Sequence, residues 1–472
     1  MADTTQVAVL GGGPGGYAAA FMAADLGLDT TLIDLEKNPG GVCLYRGCIP
    51  SKALLHVSKL ITESQEAEEW GVKFSQPEID LDKLRSWKND VVGQMTGGLG
   101  QLTKARKIEY IQGRGEFIDA NTLKIETDEG EQTLEFEHCI LATGSKPTVI
   151  PAFDLDDDRV MDSTGGLELD EIPGKMLVLG GGYIGLELGQ VYQSLGSEVS
   201  VVEMMPNLLP GADQDMVKFL ADRVKSQFTD VMVNSKVTEM KSQKNGIKVS
   251  IETDEGEEIN KIYDRVLVSV GRTPITDGLG LENTNIEIDD NGFVKTDKQM
   301  RTGEQSIFAI GDIAGEPMLA HKASHEGIVA AEVIAGQKAA FEPYAIPAVV
   351  FTDPEIAWAG LTETQAKEDG IDYELAKFQW SASGRATTLG RNDGVTKLLI
   401  DPETERILGV GIAGPGAGEL IAEGVLAIEM AATADDLRLS IHPHPTLSET
   451  VMEAAEIFFG HATHLYRPKK KK

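Results

Sequence analysis

Cysteine is scarce in this sequence, and long hydrophobic runs are missing. Only three cysteines occur among 472 residues, which is too few for a disulfide framework that stabilises a chain of this size. No stretch reaches the ~20 apolar residues that a membrane-spanning helix needs. Residues 1–6 lack the basic region and the long apolar segment of a secretory signal. We therefore expect a soluble, cytoplasmic protein with no membrane contact, long enough for about three domains.

Basic residues are also few compared with acidic ones. The chain has 43 Lys and Arg against 75 Asp and Glu, so its formal net charge is −32. A surface this acidic disfavours nucleic acid and anionic membranes as partners. Two interpretations stay open: an ordinary acidic cytosolic enzyme, or adaptation to high salt, where counterions screen self-repulsion. The lysine run at residues 469–472 is expected to be a solvated tail.

One structural unit occurs twice along the chain. In each copy, an apolar segment that predicts a strand (residues 7–10 and 176–179) is followed by a glycine-rich turn, a helix and a second strand. An acidic residue, Asp34 or Glu203, ends that second strand at the same distance from the first glycine in both copies. The glycines of the turns are Gly11, Gly13 and Gly16 in the first copy and Gly180, Gly182 and Gly185 in the second.

This repeat is the pattern of a dinucleotide-binding fold. The first glycine permits a tight turn, the second lets the backbone approach a pyrophosphate, and the third lets the helix pack against the strand. The diphosphate then lies at the helix N-terminus, where free N–H groups and the helix dipole favour negative charge. One fingerprint alone is weak evidence, but two in the same context predict an α/β protein with two dinucleotide sites. Asp34 and Glu203 are expected to accept hydrogen bonds from the adenosine riboses.

The remaining sequence predicts further elements. A long helical stretch is expected over roughly residues 53–106, and a hairpin around the Asn245-Gly246 turn. A strand is expected over residues 306–310, ending in the polar turn Gly311-Asp312. Beyond about Pro347, strands alternate with helices, which predicts a separate α+β domain.

Cys43 and Cys48 form a close cysteine pair. Pro50 is favoured in the first turn of a helix, so Cys48 is expected near the start of the helix that follows. There the helix dipole stabilises the thiolate, which is the reactive form in thiol–disulfide exchange. A structural metal needs about four ligands and no second cysteine pair exists, but a pair of buried structural thiols stays open as an alternative. Cys139 lies in an apolar run and is expected to be a buried, unreactive strand residue.

Two segments resemble motifs of a known family. Residues 40–52, GGVCLYRGCIPSK, resemble the redox-disulfide helix of the pyridine nucleotide-disulfide oxidoreductases. Residues 442–449, HPHPTLSE, resemble the acid–base motif of the lipoamide-specific branch of that family. The resemblance covers essentially the whole chain, including the order of the two glycine fingerprints and the Gly311-Asp312 turn.

The resemblance implies the cofactors and the domains. FAD is expected on the first fingerprint and NAD on the second, each in a Rossmann-like domain, and the C-terminal α+β domain is expected to form a dimer. No metal is implied. The implied boundaries are 1–147 for the FAD domain, 148–275 for the NAD domain, 276–345 for a central part that completes the FAD site, and 346–472 for the dimerisation domain. Further implied cofactor-binding residues are Gly144, Gly271, Gly311 and Asp312.

The resemblance also assigns roles at the redox centre. Cys43 and Cys48 would form a redox-active disulfide, with Cys48 facing the flavin and Cys43 exchanging with the substrate. Lys52 would lie near the reactive nitrogen of the flavin, pair with Glu187, and stabilise negative charge on the reduced ring. Without the motif, an exposed Lys52 and a solvated Glu187 would be the ordinary interpretation.

His444 is the expected acid–base group. It would take a proton from a dihydrolipoyl thiol, with Glu449 orienting the imidazole. Glu449 also fits a capping box at residues 446–449 that starts the next helix, and we expect its carboxylate to serve only one of these partners at a time. The remaining C-terminal histidines, His442, His461 and His464, are expected to be structural or surface residues.

The implied function is the NAD-dependent reoxidation of dihydrolipoyl groups carried by 2-oxoacid dehydrogenase complexes or by the glycine-cleavage carrier. The resemblance implies a homodimer in which His444 of one subunit completes the Cys43 site of the other. A glutathione reductase-like enzyme is an alternative that fits Tyr183, but Met204-Met205-Pro206 supply no arginine for the 2′-phosphate of NADP. The alternative from another class is a non-catalytic, flavin-stabilised scaffold, and the intact Cys43, Cys48 and His444 argue against it.

Overall fold

The first glycine unit forms a largely parallel sheet with helices on its faces. The computed structural model describes residues 3–465, so the lysine run at 469–472 lies outside the described residues. The strands of this unit are β1 (Asp3–Leu10), β2 (Thr30–Asp34), β3 (Glu109–Gln112), β4 (Arg114–Asp119), β5 (Thr122–Thr127) and β6 (Gly130–Leu141). Its helices are α1 (Pro14–Asp25), α2 (Gly41–Arg46), α3 (Cys48–Glu66) and α4 (Leu81–Ala105).

The sheet order is β3-β2-β1-β6-β5-β4. Strand β1 is parallel to both of its neighbours, β2 and β6. Because helices cover both faces of such a strand, its side chains are apolar without alternation; Val7, Ala8 and Val9 have no exposed surface. Cys139 lies in β6 and is also fully buried, which confirms the prediction of a buried strand residue, and burial raises the pKa of its thiol.

The second glycine unit repeats this arrangement. Its strands are β7 (Ser145–Pro147), β8 (Val160–Met161), β9 (Lys175–Leu179), β10 (Glu198–Val202), β11 (Asp230–Met232), β12 (Lys236–Gln243), β13 (Gly246–Glu252), β14 (Glu258–Tyr263), β15 (Arg265–Val268) and β16 (Arg272–Pro274). Its helices are α5 (Ser163–Glu168), α6 (Tyr183–Leu195) and α7 (Gln214–Gln227). A parallel sheet has the order β11-β10-β9-β15-β8. The hairpin predicted around Asn245-Gly246 is confirmed, since β12 and β13 pair antiparallel. Its turn residues are Lys244 and Asn245, and Gly246 is the first residue of β13.

A following segment returns to the first sheet. It contains β17 (Ile307–Ala309) and α8 (Ala320–Ile334). Strand β17 pairs in parallel with β6, and α8 packs against α1. The helices approach closely because Gly327 faces Gly15: a Cβ on Gly327 would lie 2.5 Å from the carbonyl oxygen of Gly15. Residues distant in sequence therefore complete the wall of the first dinucleotide unit.

The C-terminal part has a different architecture. Its strands are β18 (Ala348–Val350), β19 (Ile356–Gly360), β20 (Glu374–Gln379), β21 (Val395–Ile400) and β22 (Ile407–Ala413), and its helices are α9 (Glu363–Asp369), α10 (Gly384–Thr388), α11 (Ala417–Glu429), α12 (Ala434–Leu439) and α13 (Glu449–Phe458). All strand pairs in the order β18-β19-β22-β21-β20 are antiparallel. The predicted fold class, two Rossmann-like units followed by an α+β domain, is confirmed.

The helical stretch predicted over roughly residues 53–106 consists of two helices with a break between them. Helix α3 ends at Glu66 and is followed by a 3₁₀ turn at Ala67–Trp70. Gly71 then adopts a left-handed backbone with φ of 86°, which stops the helix because it cannot continue right-handed α geometry. Helix α4 begins after Asp80, whose side chain accepts a hydrogen bond from the N–H of Lys83 at 3.0 Å. The predicted helical stretch is therefore made of two separate helices that pack against each other.

Candidate active site

A cavity of about 380 Å³ lies between the first glycine unit, helix α6 and the segment that precedes α8. It is lined by residues from both glycine units, so it lies where the two units meet. The predicted site residues that line it are Gly11, Gly13, Asp34, Cys43, Cys48, Lys52, Gly144, Glu187, Gly311 and Asp312. The fold thus brings the predicted redox pair and the first glycine fingerprint to one continuous space.

The glycines of the first fingerprint are explained by steric contacts. A Cβ on Gly11 would overlap the carbonyl oxygen of Ala142, and one on Gly16 would overlap that of Gly11. The Cβ position of Gly13 is open, since its nearest heavy atom is 4.0 Å away. In the second fingerprint, Gly180 and Gly185 are packed in the same way and Gly182 is open. Both turns therefore present a bare backbone at a helix N-terminus, as a pyrophosphate requires.

The acidic residues hold the glycine turns in place. Asp34 accepts hydrogen bonds from the N–H groups of Gly12 at 2.5 Å and Glu36 at 2.8 Å. Glu203 does the same with Gly181 at 2.6 Å and Met205 at 2.7 Å. Burial raises the pKa of Asp34, and the hydrogen bond from Gly12 only partly opposes this shift. The sequence analysis did not predict that these two carboxylates bind the backbone. The equal spacing of Asp34 and Glu203 from the first glycine of each unit could have indicated a shared role.

Cys43 and Cys48 lie side by side on successive helices. Cys43 is in α2, Cys48 is the first residue of α3, and both are free thiols in this structure. Only Gly47 separates the helices, and a Cβ there would lie 2.8 Å from the carbonyl oxygen of Val42. A residue with a side chain at position 47 would therefore disturb the turn that joins the two cysteines.

The two thiols have different electrostatic environments. A hydrogen bond from the Cys43 thiol and the nearby charge of Lys52 lower the pKa of Cys48 to about 7. The same hydrogen bond, together with burial, raises the pKa of Cys43. Cys48 is therefore the sulfur that ionises first, which suits a thiolate held at the start of a helix.

Lys52 and Glu187 form an ion pair across the two units. Lys52 Nζ lies 2.8 Å from Glu187 Oε2. Glu187 is only 3% exposed, so it is not the solvated helix residue that its position in sequence would ordinarily suggest. Its other oxygen, Oε1, accepts a hydrogen bond from the N–H of Phe351 at 2.9 Å. A buried carboxylate of this kind is stabilised only when both oxygens have partners.

Asp312 belongs to a polar group that the sequence analysis did not identify. It accepts a hydrogen bond from the Ser145 hydroxyl at 2.5 Å, and that hydroxyl accepts one from Arg272 Nε at 2.7 Å. Ser145 and Arg272 directly follow Gly144 and Gly271 and lie on the paired strands β7 and β16. The prediction of Gly144 and Gly271 as cofactor-binding residues could therefore have drawn attention to Ser145 and Arg272, which follow them in sequence. Both Ser145 and Arg272 line the cavity.

A buried ion pair supports the Gly311 turn. Lys322 and Glu326 lie one turn apart on α8, 2.9 Å from each other, and both side chains are 5% exposed. Glu326 accepts a hydrogen bond from the Gly311 N–H at 2.7 Å, and Lys322 donates to the Gly315 carbonyl at 3.0 Å. The pair fixes both ends of the turn that carries Asp312.

Tyr183 begins helix α6 and lines the same cavity. Burial raises the pKa of its phenol to about 12. The residue is still 41% exposed, so it lies at the boundary between the cavity and solvent.

His444 and Glu449 lie on a different surface of the chain. Neither lines the cavity, and the His444 side chain is 69% exposed. His444 Nδ1 lies 2.9 Å from Glu449 Oε1, while Glu449 Oε2 accepts a hydrogen bond from the Thr446 N–H at 2.9 Å. The expectation that the carboxylate serves one partner at a time is therefore wrong, because each of its two oxygens has its own partner. Burial raises the pKa of Glu449, but the bonds from Thr446 and His444 outweigh it and lower the pKa overall.

The other C-terminal histidines have local partners. His442 Nε2 lies 2.7 Å from Glu423 Oε1, and this contact raises the pKa of His442. His464 Nδ1 lies 2.5 Å from Glu453 Oε1. His461 stacks on Phe459 with ring centroids 6.3 Å apart. These contacts tie the C-terminal segment together.

The helices between residues 3 and 465 include none with both the length and the apolar character needed to cross a membrane.

Comparison with known proteins agrees with this geometry. Among curated proteins, the dihydrolipoyl dehydrogenase of Vibrio cholerae is 50% identical over 467 residues, which cover 99% of this chain and 98% of that protein. The dihydrolipoyl dehydrogenase of Haloferax volcanii is 45% identical over 468 residues, 98% of each chain. Among solved structures, LpdA of Mycobacterium tuberculosis has a TM-score of 0.89 at 26% identity, covering 96% of this chain and 99% of that chain. The flavoprotein disulfide reductase RclA of Escherichia coli, solved as a Cu(II) complex, has a TM-score of 0.86 at 28% identity, with 96% and 99% coverage.

The family models match almost the whole chain. The model described as pyridine nucleotide-disulphide oxidoreductase matches residues 5–327, and the model of the dimerisation domain of that family matches residues 346–455. The matched regions contain both glycine units, the cysteine pair and the His444–Glu449 pair. This chain therefore belongs to the pyridine nucleotide-disulphide oxidoreductase family.

Proposed function

We propose that this protein is an NAD-dependent dihydrolipoyl dehydrogenase that works in the cytoplasm as a homodimer. It reoxidises dihydrolipoyl groups on the carriers of 2-oxoacid dehydrogenase complexes or of the glycine-cleavage system. The single observation that carries the proposal is the position of Cys43 and Cys48 in the same cavity as the first glycine fingerprint. A sulfur pair next to a dinucleotide site can exchange electrons with both a thiol substrate and a bound cofactor.

The cavity fits FAD, and the second fingerprint fits NAD. Gly13 and Gly182 offer the open backbone that a pyrophosphate needs, and Asp312 lines the same cavity as the cysteine pair. When bound, FAD supplies a ring that takes an electron pair from sulfur and passes it to NAD as a hydride. We assign residues 1–147 and 276–345 to the FAD site and 148–275 to the NAD site.

The asymmetry of the thiols assigns their roles in exchange. A substrate thiolate attacks Cys43 of the oxidised pair, the Cys43–Cys48 bond breaks, and Cys48 leaves as a thiolate. A sulfur with a lowered pKa is the better leaving group, and the pKa of Cys48 is the one that is lowered. The second substrate thiolate then attacks the mixed disulfide, which closes the lipoyl ring and releases Cys43.

His444 acts as the acid–base group of this exchange. Its Nδ1 is engaged by Glu449, which leaves Nε2 free to take the proton of a substrate thiol. The Glu449 carboxylate stabilises the charged imidazole that results. Since the carboxylate is held by the Thr446 N–H as well, the ring has a fixed orientation before substrate arrives.

The complete site requires two subunits. His444 is exposed in one chain and lies in a segment with exposed apolar side chains. These side chains, with their exposed fractions, are Leu426 (63%), Met430 (72%), Leu439 (62%) and Ile441 (99%). Exposed apolar surface of this kind is typical of an interface. We assign residues 346–472 to this dimer contact, which brings His444 of one subunit to Cys43 of its partner.

The proposal is tested by measuring turnover of dihydrolipoamide and NAD by the purified protein. We expect a yellow protein that contains FAD and forms NADH, with activity abolished in Cys43→Ser. Oxidised glutathione with NADPH serves as the competing substrate pair. A higher rate with glutathione than with lipoamide would replace the proposed function with that of a glutathione reductase, and FAD binding without any disulfide turnover would favour the scaffold role.

A further inference from the structure

We propose that Phe351 is a positioning residue that holds the ammonium of Lys52 at Glu187. This inference rests on the proposed function, because it assumes that Lys52 acts on bound FAD. The Lys52 ammonium lies 4.6 Å from the centroid of the Phe351 ring. The N–H of Phe351 and the ammonium of Lys52 bind the two oxygens of the same carboxylate, Glu187, at 2.9 and 2.8 Å.

Lys52 needs such a constraint because it lies between two spaces. It lines the cavity that contains the cysteine pair and also a second cavity of about 280 Å³. Its side chain is 31% exposed. A lysine has a long, flexible stem, so an ion pair alone would let the ammonium turn toward water in the second cavity. The Phe351 ring lies against that cavity as well and offers the ammonium a favourable surface without a competing acceptor.

The backbone of Phe351 is itself fixed by helix α6. Gln190, one turn after Glu187, donates a hydrogen bond from Nε2 to the Asp353 carbonyl at 2.8 Å and accepts one from the Asp353 N–H at 2.7 Å. The Asp353 carboxylate then pairs with Arg223 at 2.7 Å and Arg391 at 2.6 Å. The segment is thus held at both of its ends, and the ring has a defined position from which to act on Lys52.

The experiment compares Phe351→Leu with Phe351→Tyr. Leucine keeps the N–H that binds Glu187 and most of the apolar volume but removes the aromatic face, whereas tyrosine keeps the face. For each purified holoenzyme, the flavin midpoint potential and the single-turnover rate of flavin reduction by NADH are measured per bound FAD. We expect Phe351→Leu to lower the potential and to slow reduction about 2- to 10-fold, and Phe351→Tyr to match the wild type. Phe351→Met, a second variant without a ring, repeats the leucine test with a more flexible side chain.

Two further variants separate this role from a general structural effect. In a Lys52→Met background, Phe351→Leu should cause no additional change, because the group that it positions is gone. The matched control is Phe21→Leu, which removes a ring 4.7 Å from Arg106 outside the cavity and should leave the potential unchanged.

The outcomes distinguish failure of the positioning role of Phe351 from failure of the proposed function. A normal potential and rate in Phe351→Leu and Phe351→Met, with a clear defect in Lys52→Met, would overturn the role of Phe351 and leave the proposed function intact. An undiminished effect of Phe351→Leu in the Lys52→Met background would also overturn it. If Lys52→Met itself behaves as the wild type, both the positioning role of Phe351 and the expected action of Lys52 on the flavin are wrong.

Discussion

Complementation between two inactive variants tests whether each active site is shared by two subunits. In one chain, His444 does not line the cavity that contains Cys43. Cys43→Ser removes the sulfur that exchanges with substrate. His444→Ala removes the proton acceptor, and loss of a general base typically costs about 100- to 10,000-fold in rate. Each variant alone should therefore have at most about 1% of wild-type lipoamide turnover, while both keep FAD.

The shared-site geometry fixes the activity expected after mixing. When equal amounts of the two variants exchange subunits freely, about half of the dimers contain one chain of each kind. In such a dimer, one site contains both substitutions, and the other combines the native Cys43 with the native His444. Activity should therefore recover to about a quarter of the wild-type value per chain. If each site belonged to a single chain, every site would contain one substitution and no activity would return.

The assay is dihydrolipoamide-dependent NADH formation, followed in parallel with native mass spectrometry of the mixture. The control is Cys43→Ser mixed with a chain that carries both substitutions, because no dimer in that mixture has a native site. Heterodimers that form in the expected proportion but show no more turnover than this control would refute the shared-site model.

Three further predictions follow from charge and ionisation. Glu203 should repel a 2′-phosphate, so kcat/KM with NADPH should be roughly 100-fold below that with NADH; equal values for the two nucleotides would contradict this role. With a net charge of −32, self-repulsion is screened by salt, so the Tm should be higher in molar KCl than in dilute buffer, and an unchanged or lower Tm would remove the argument. Because the pKa of Cys48 is lowered to about 7, its thiolate is present above that pH and lost below it. Alkylation of Cys48 in the reduced protein should therefore rise through about pH 7, ahead of alkylation of Cys43, and a first reaction at Cys43 would show that the asymmetry is reversed.

Some features of the fold could be predicted because they depend on short stretches of sequence. The glycine at each position of the two fingerprints is required by contacts within a single turn or with the adjoining strand. The turn at Asn245-Gly246 and the buried strand that contains Cys139 are likewise local features. The helical stretch at residues 53–106 was predicted, but its division into two helices was not, because the break depends on the left-handed backbone of Gly71 and the cap at Asp80.

The sequence by itself determined the two glycine units, the cysteine pair at a helix start, and the His444–Glu449 pair, which lies within five residues. The pair of Lys52 and Glu187, 135 positions apart, was implied by the family resemblance and not by any local pattern. Only the tertiary structure decided that Ser145 binds Asp312 across 167 positions and that Phe351 lies on Lys52. The reason is physical. Turns, caps and helix starts are determined by sterics and hydrogen bonds among neighbouring residues, whereas contacts between distant segments depend on how whole sheets and helices pack, and that packing has no local signature.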